Sequence, residues 1–214
     1  MAGWLDALRR PSMTNVPPTA AEQRRNDLIM IAVILFALFL GWGIRSNTAN
    51  ATTRAALGGQ LPSIAYPATW LDSRVEGEAL HAVDPSSLST FDARLEVRIR
   101  PVREGEDMDA VSMSWPLNRA QELSRFRNLA NEVRTGPDGQ PALLITYAYI
   151  ADPTRDSGAL GLPVVVKAQD LLFIANDGEQ DQLVAVTVAA DATEWNDYAD
   201  EFARIFASLG VGGE

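Results

Sequence analysis

Apolar and polar positions along this chain fall into two regimes. From Leu28 to Ile44 the sequence reads LIMIAVILFALFLGWGI, seventeen residues without a charge, with Asp27 before it and Arg45 after. As a helix this run is about 26 Å long, slightly short of a ~30 Å hydrocarbon core. Arg25 and Arg45 can snorkel to the two interfaces, and Trp42 sits where an interfacial aromatic belongs, so the shortfall is tolerated. A membrane-spanning helix over 28–44 is therefore expected. Within it, Ala37 and Gly41 make a small-xxx-small face that admits another helix closely. Phe36, Phe39 and Leu40 would face lipid or a larger partner.

Elsewhere the apolar positions are spaced for a folded domain. Residues 1–27 read as a polar arm broken by Pro11, Pro17 and Pro18. In it Trp4, Leu5 and Leu8 share one side of a short helical stretch, suited to the inner membrane face or a neighbouring subunit. Residues 45–60 are small and polar and end in Gly58-Gly59, the composition of a linker. The domain is expected over 61–210, with 211–214 as a tail.

Inside the domain, Ile64–Pro67 reads as a short strand stopped by proline, ahead of Trp70. In Phe91–Val102, Phe91, Ala93, Leu95, Val97 and Ile99 alternate with charged residues, the period of a half-buried strand. Val111–Trp115 looks strand-like. Pro116–Arg127 looks helical, with Leu117, Ala120, Leu123 and Phe126 on one face. Asn131–Arg134 leads into a hairpin turn at Gly136-Pro137-Asp138-Gly139, and Leu143–Ile150 returns. Val164–Ala175 and Leu183–Ala189 are β-rich and flank the turn Asn176-Asp177-Gly178. The closing helix has Asp191 and Glu194 as a capping-box pattern, and Gly210 ends it. Its apolar stripe is Trp195, Tyr198, Phe202, Ile205, Phe206 and Leu209. The fold class is α+β, with a mostly antiparallel sheet and helices on its faces.

Two groups of residues carry a resemblance. The first is Tyr66-Pro67-x-x-Trp70 at the start of the domain. The second is the strand Leu183–Val188 running into Trp195-x-x-Tyr198-x-x-x-Phe202-x-x-Ile205-x-x-Ser208. Over Leu61–Leu209 this pattern resembles the Mog1/PsbP-like family of α/β/α sandwiches. The resemblance implies a non-enzymatic accessory or docking module, and it carries no catalytic residue. The layout of arm, single span and cofactor-free outer domain also resembles the small G subunit of alternative complex III, the quinol-oxidising complex of filamentous anoxygenic phototrophs. That likeness implies an accessory subunit of a bacterial electron-transport complex, beside c-type cytochrome and iron–sulfur subunits.

Charge orients the molecule. Arg9, Arg10, Arg24 and Arg25 precede the span, and only Arg45 and Arg54 follow it closely, which favours a cytoplasmic N-terminus in the bacterial inner membrane and a periplasmic domain. A cleaved signal peptide is the rival, since Ala49-Asn50-Ala51 offers an A-x-A site. From Gln60 onward the net charge is −13, against −10 for the whole chain, which excludes nucleic acid as a partner and leaves lipid contact to the span. A negative surface suits solubility or a basic partner such as a c-type cytochrome. The chain has no cysteine, so disulfides, thiolate metal sites and attached c-type haem are excluded.

Candidate chemistry is sparse. His81 is the single histidine, with Asp84, Ser86 and Ser87 nearby, but no G-x-S-x-G elbow accompanies them. Glu104, Glu106, Asp107 and Asp109 lack the order of a calcium loop and read as a solvated acidic turn. Gly158–Gly161 lacks the G-K-[ST] of a phosphate loop, and Lys167 reads as a snorkelling edge lysine. No catalytic, cofactor-binding or metal-ligating residue is expected. The expected function is a non-catalytic accessory subunit that stabilises or docks extracytoplasmic partners. The alternative is a free-standing anchored module that binds a small ligand or a protein.

Overall fold

The computed structural model describes residues 19–49, 51–152 and 161–211, in two units that divide between residues 49 and 50. Trp4, Leu5 and Leu8 lie outside the described residues, as do 158–160 of the glycine-containing loop.

The first unit is helix α1, Ala20–Ala49. It begins eight residues before the apolar run because Thr19 and Glu22 cap it reciprocally. The Glu22 amide donates to Thr19 Oγ1 at 3.3 Å, and the Thr19 amide donates to Glu22 Oε2 at 2.9 Å. Residues Ala20–Gly43 are long and apolar enough to cross a membrane, with a mean hydropathy of 2.0 over the most apolar 18-residue window. Their apolar side chains are exposed on every side of the helix, including Trp42, and Ala37 and Gly41 lie one turn apart on its bare surface.

The second unit starts earlier than the sequence pattern implies. The stretch 45–60, expected as a linker, contains the end of α1 and then strand β1, Thr52–Ala56. This strand pairs antiparallel with β2, Ser63–Pro67. Its side chains are nearly all exposed, so no apolar alternation marks it. The remaining strands are β3 (Leu71–Asp72), β4 (Leu80–Val83), β5 (Arg94–Pro101), β6 (Arg127–Thr135), β7 (Pro141–Ala151), β8 (Val164–Asn176) and β9 (Asp181–Asp191). They form one antiparallel sheet in the order β3-β4-β5-β9-β8-β7-β6. The expected strand over Phe91–Val102 is β5, three residues shorter at its start. The turns at 136–139 and 176–178 connect β6 to β7 and β8 to β9, the first as a single 3-10 turn.

Strand alternation gives the sheet two buried faces. Leu95, Val97, Leu171, Phe173, Val184, Val186 and Val188 point to one face. The closing helix α3, Trp195–Ser208, seals it with Trp195, Phe202, Ile205 and Phe206. Trp70 stands edge-on to Phe202 with ring centres 6.4 Å apart, and the Ala65 amide donates to Ser208 Oγ at 2.9 Å, so β2 is fastened to α3. Ile145, Tyr147, Val166, Leu172, Leu183 and Ala185 point to the other face. Helix α2, Met108–Glu122, covers part of it. The result is an α+β sandwich with helices on both sides of the sheet, as the apolar pattern implies.

Three local expectations fail for physical reasons. Val111–Trp115 is not a strand but the middle of α2, which begins at Asp107, whose carboxylate accepts from the Ala110 amide at 2.8 Å. Pro116 therefore lies within the helix and does not open it. The helix ends at Glu122, and its inward stripe is buried Val111, half-buried Trp115 and buried Arg119 at four-residue spacing, not Leu117 and Ala120, which are exposed. The capping box at Asp191 and Glu194 also does not form. Asp191 instead accepts from Thr193 and Ser89, and Glu194 accepts from Ser87 and Leu88.

Candidate binding cleft

Helix α2 lies over β7 and leaves the β4–β5–β9 part of the same sheet face open. Between helix and open face runs a cleft of about 450 Å³, lined by Arg94, Glu96, Arg98, Arg119, Tyr149 and Thr187 among others. An adjoining hollow of about 290 Å³ shares Arg98, Arg119 and Glu122 with it. The opposite face has its own hollow, about 390 Å³, beside α3, lined mostly by aliphatic and aromatic side chains such as Leu144, Leu171 and Phe206. The α2-face cleft is the one where polar groups converge.

Its floor is a buried ion pair. The Arg119 side chain is 5% exposed and the Asp170 side chain 0%. Arg119 Nε donates to Asp170 Oδ2 at 2.9 Å, and Nη2 donates to Asp170 Oδ1 at 3.2 Å and to Thr187 Oγ1 at 2.8 Å. The same carboxylate accepts from Trp115 Nε1 at 2.6 Å, Tyr147 Oη at 3.0 Å and Thr187 Oγ1 at 2.7 Å. Five donor atoms on one carboxylate satisfy it in full, as a buried charge requires. Burial works against the Arg119 charge, but the facing Asp170 outweighs it and holds the guanidinium firmly protonated. Burial first, and then the Asp170 charge, push the Tyr147 hydroxyl well above its ordinary range. Tyr149 is raised mainly by burial, so both phenols stay neutral donors in ordinary conditions.

The rim is a charge network across register partners. His81 on β4 faces Glu96 on β5. His81 Nδ1 lies 2.7 Å from Glu78 Oε2, and Arg98 Nη2 lies 3.2 Å from Glu78 and 3.5 Å from Glu96. Arg98 Nη1 also approaches Glu122 at 3.7 Å. Arg94 stacks over Phe91, 3.9 Å from the ring centre. The cleft thus offers guanidinium groups, carboxylates and neutral phenols to whatever enters it.

The residues singled out from sequence are scattered. His81 belongs to the rim, whereas Asp84 accepts from Tyr198 Oη at 2.9 Å beside α3, so the two are not base and orienter. Ser86 Oγ donates to Asp84 and Ser87 Oγ to Glu194, so neither hydroxyl meets the imidazole. The acidic turn is also divided among separate tasks. Glu106 accepts two bonds from Arg100, at 2.7 and 2.5 Å, and Asp107 caps α2. Those Arg100 bonds lower the Glu106 pKa from 4.5 to about 2. Lys167 is not at an edge: β8 lies between β7 and β9, and the ammonium sits 4.6 Å from the centre of the Trp195 ring. Arg119, Asp170, Glu78 and Glu96 were not legible as a group, because each pair joins distant segments.

No protein-family model matches the chain, and its sequence matches no curated protein. Among solved structures it is similar to a protein of unknown function from Pseudomonas aeruginosa, at 13% identity and a TM-score of 0.45, over 77% of this chain and 99% of that one. It is also similar to the Saccharomyces cerevisiae Ran-binding protein Mog1p, at 12% identity and a TM-score of 0.44, over 75% of this chain and 91% of that one. Likeness at this level decides nothing about activity or partners.

Proposed function

We propose that this chain is a membrane-anchored, non-catalytic recognition subunit, with α1 as the anchor and the α2-face cleft as the recognition surface. The observation that carries the reading is the cleft itself: guanidinium, carboxylate and phenol groups that converge over the buried Arg119–Asp170 pair. Ser86 bonds Asp84 and Ser87 bonds Glu194, so neither nearby hydroxyl is paired with His81 as a nucleophile would be, in keeping with a binding role. In this reading the N-terminus is cytoplasmic and the domain periplasmic, as the arginine imbalance favours. The setting is a quinol-oxidising electron-transport complex of the bacterial inner membrane, where the acidic domain braces basic extracytoplasmic neighbours such as a c-type cytochrome. The layout and the −13 charge of the domain support that setting.

The test is copurification. Extracted in mild detergent, the chain should migrate with larger membrane subunits and show no turnover of its own. Recovery as a lone monomer in several mild detergents would overturn the accessory role.

The size and polarity of the cleft favour a second reading, a free-standing anchored module that takes a small polar ligand. Glu96→Ala would then abolish capture of that ligand by the purified chain without changing comigration of other subunits. In the accessory reading the same variant loosens the complex.

A further inference from the structure

We propose that Glu78, His81 and Glu96 bind a divalent transition-metal cation of the zinc type at the rim of the cleft, a site for which Arg98 is the competing occupant. The inference stands on this cluster and does not depend on the accessory-subunit reading. Glu78 lies in the turn before β4, His81 on β4, and Glu96 is its register partner on β5. One ligand atom from each lies within 4.8 Å of the others. One imidazole nitrogen and two carboxylate oxygens are donors that zinc accepts, and three protein ligands leave a fourth position for water or another ligand.

Burial separates this cluster from an ordinary acidic surface. The side chains of Glu78, His81 and Glu96 are 6%, 13% and 16% exposed. Two carboxylates held close together and away from water repel each other unless a cation stands between them. Arg98 plays that part in the described state, reaching Glu78 at 3.2 Å and Glu96 at 3.5 Å. It is also built to leave. Its side chain is 40% exposed, and its other nitrogen already lies 3.7 Å from Glu122. A cation entering between the three ligands displaces the guanidinium toward Glu122, and contraction of the ligands to about 2.0–2.2 Å from the metal closes the site.

Zinc titration of the full chain, solubilised in detergent and stripped with a chelator, tests this directly by calorimetry. The expected result is a single Zn²⁺ per chain and a raised melting temperature. His81→Ala and Glu96→Gln should each weaken binding by more than the roughly ten- to hundredfold that outer-sphere partners contribute. Arg98→Ala should do the opposite and tighten binding by about tenfold, because a unit positive charge leaves the site. X-ray absorption at the zinc edge of the wild-type complex should find an imidazole in the coordination shell, independently of whether any variant folds. Absence of zinc binding, a shell without imidazole, binding indifferent to His81→Ala, or loosening by Arg98→Ala would each overturn the proposal.

Discussion

At the residue scale, the most consequential side chain is Asp170, since one fully buried carboxylate gathers Arg119, Trp115, Tyr147 and Thr187. Removing the charge leaves the buried Arg119 guanidinium with only Thr187 and the half-exposed Glu122, 3.4 Å away, in place of its buried counter-charge. Asp170→Leu should therefore lower stability by roughly 3–5 kcal/mol in urea unfolding. The double variant Asp170→Leu/Arg119→Met should cost less than Asp170→Leu alone, because no unpaired charge remains; additive losses would show that the pair is not coupled. Gly59 matters for a different reason. It has a φ of +51°, and a β-carbon there would collide with the Asp177 carbonyl oxygen. Gly59→Ala should destabilise by at least about 1–3 kcal/mol more than Gly139→Ala. Gly139 also has a positive φ, +74°, but opens onto free space. Equal melting points for the two variants would contradict the close approach.

At the element scale, the Arg100–Glu106 pair ties the end of β5 to the turn that leads into α2. Its folded carboxylate titrates at about 2 in place of 4.5, so the pair's contribution is fully present above pH 4.5 and is lost as pH falls toward 2. The stability gap between wild type and Glu106→Gln should hold from neutrality to pH 4.5 and close below it; a gap unchanged at pH 2.5 would refute the assignment. What the sequence revealed of these elements follows from locality. The stripe of α3, the alternation of β5 and the turn at Asn176–Gly178 are patterns within single segments, and each was legible. Strand β1 was not, because an exposed strand of a two-stranded ribbon has no buried face to alternate with. Helix α2 was misplaced because Pro116 resembles a first helical residue and Val111–Trp115 a strand, while the real start signal was Asp107. The cleft was missed for want of any local trace: Arg119 and Asp170 lie 51 residues apart, and arginine on a helix reads as a solvated position until a buried partner is seen.

At the scale of the whole molecule, α1 and the folded domain carry different tasks in the proposed function. If Ala37 and Gly41 face a partner helix, Gly41→Leu inserts bulk where two backbones approach, at roughly 1–3 kcal/mol. Pull-down of the assembly should then recover far less of the Gly41→Leu chain than of Leu35→Ile, a near-isosteric change on another face. Equal recovery would leave the helix as an anchor only and assign docking to the domain or to the Trp4 arm. The sheet order carries a last consequence, for the timing of folding. Strand β9 is the penultimate described element, yet it lies between β5 and β8 in the sheet. Pairs such as Arg94 with Ala189 therefore close very long loops. A nascent chain that has reached Gln180 holds two part-sheets with bare, unjoined edges, and only the arrival of 181–191 zips them together. Cooperative folding of the domain thus awaits synthesis of β9. A chain truncated after Gln180 should emerge as a protease-sensitive, aggregation-prone species, not as a smaller stable fold.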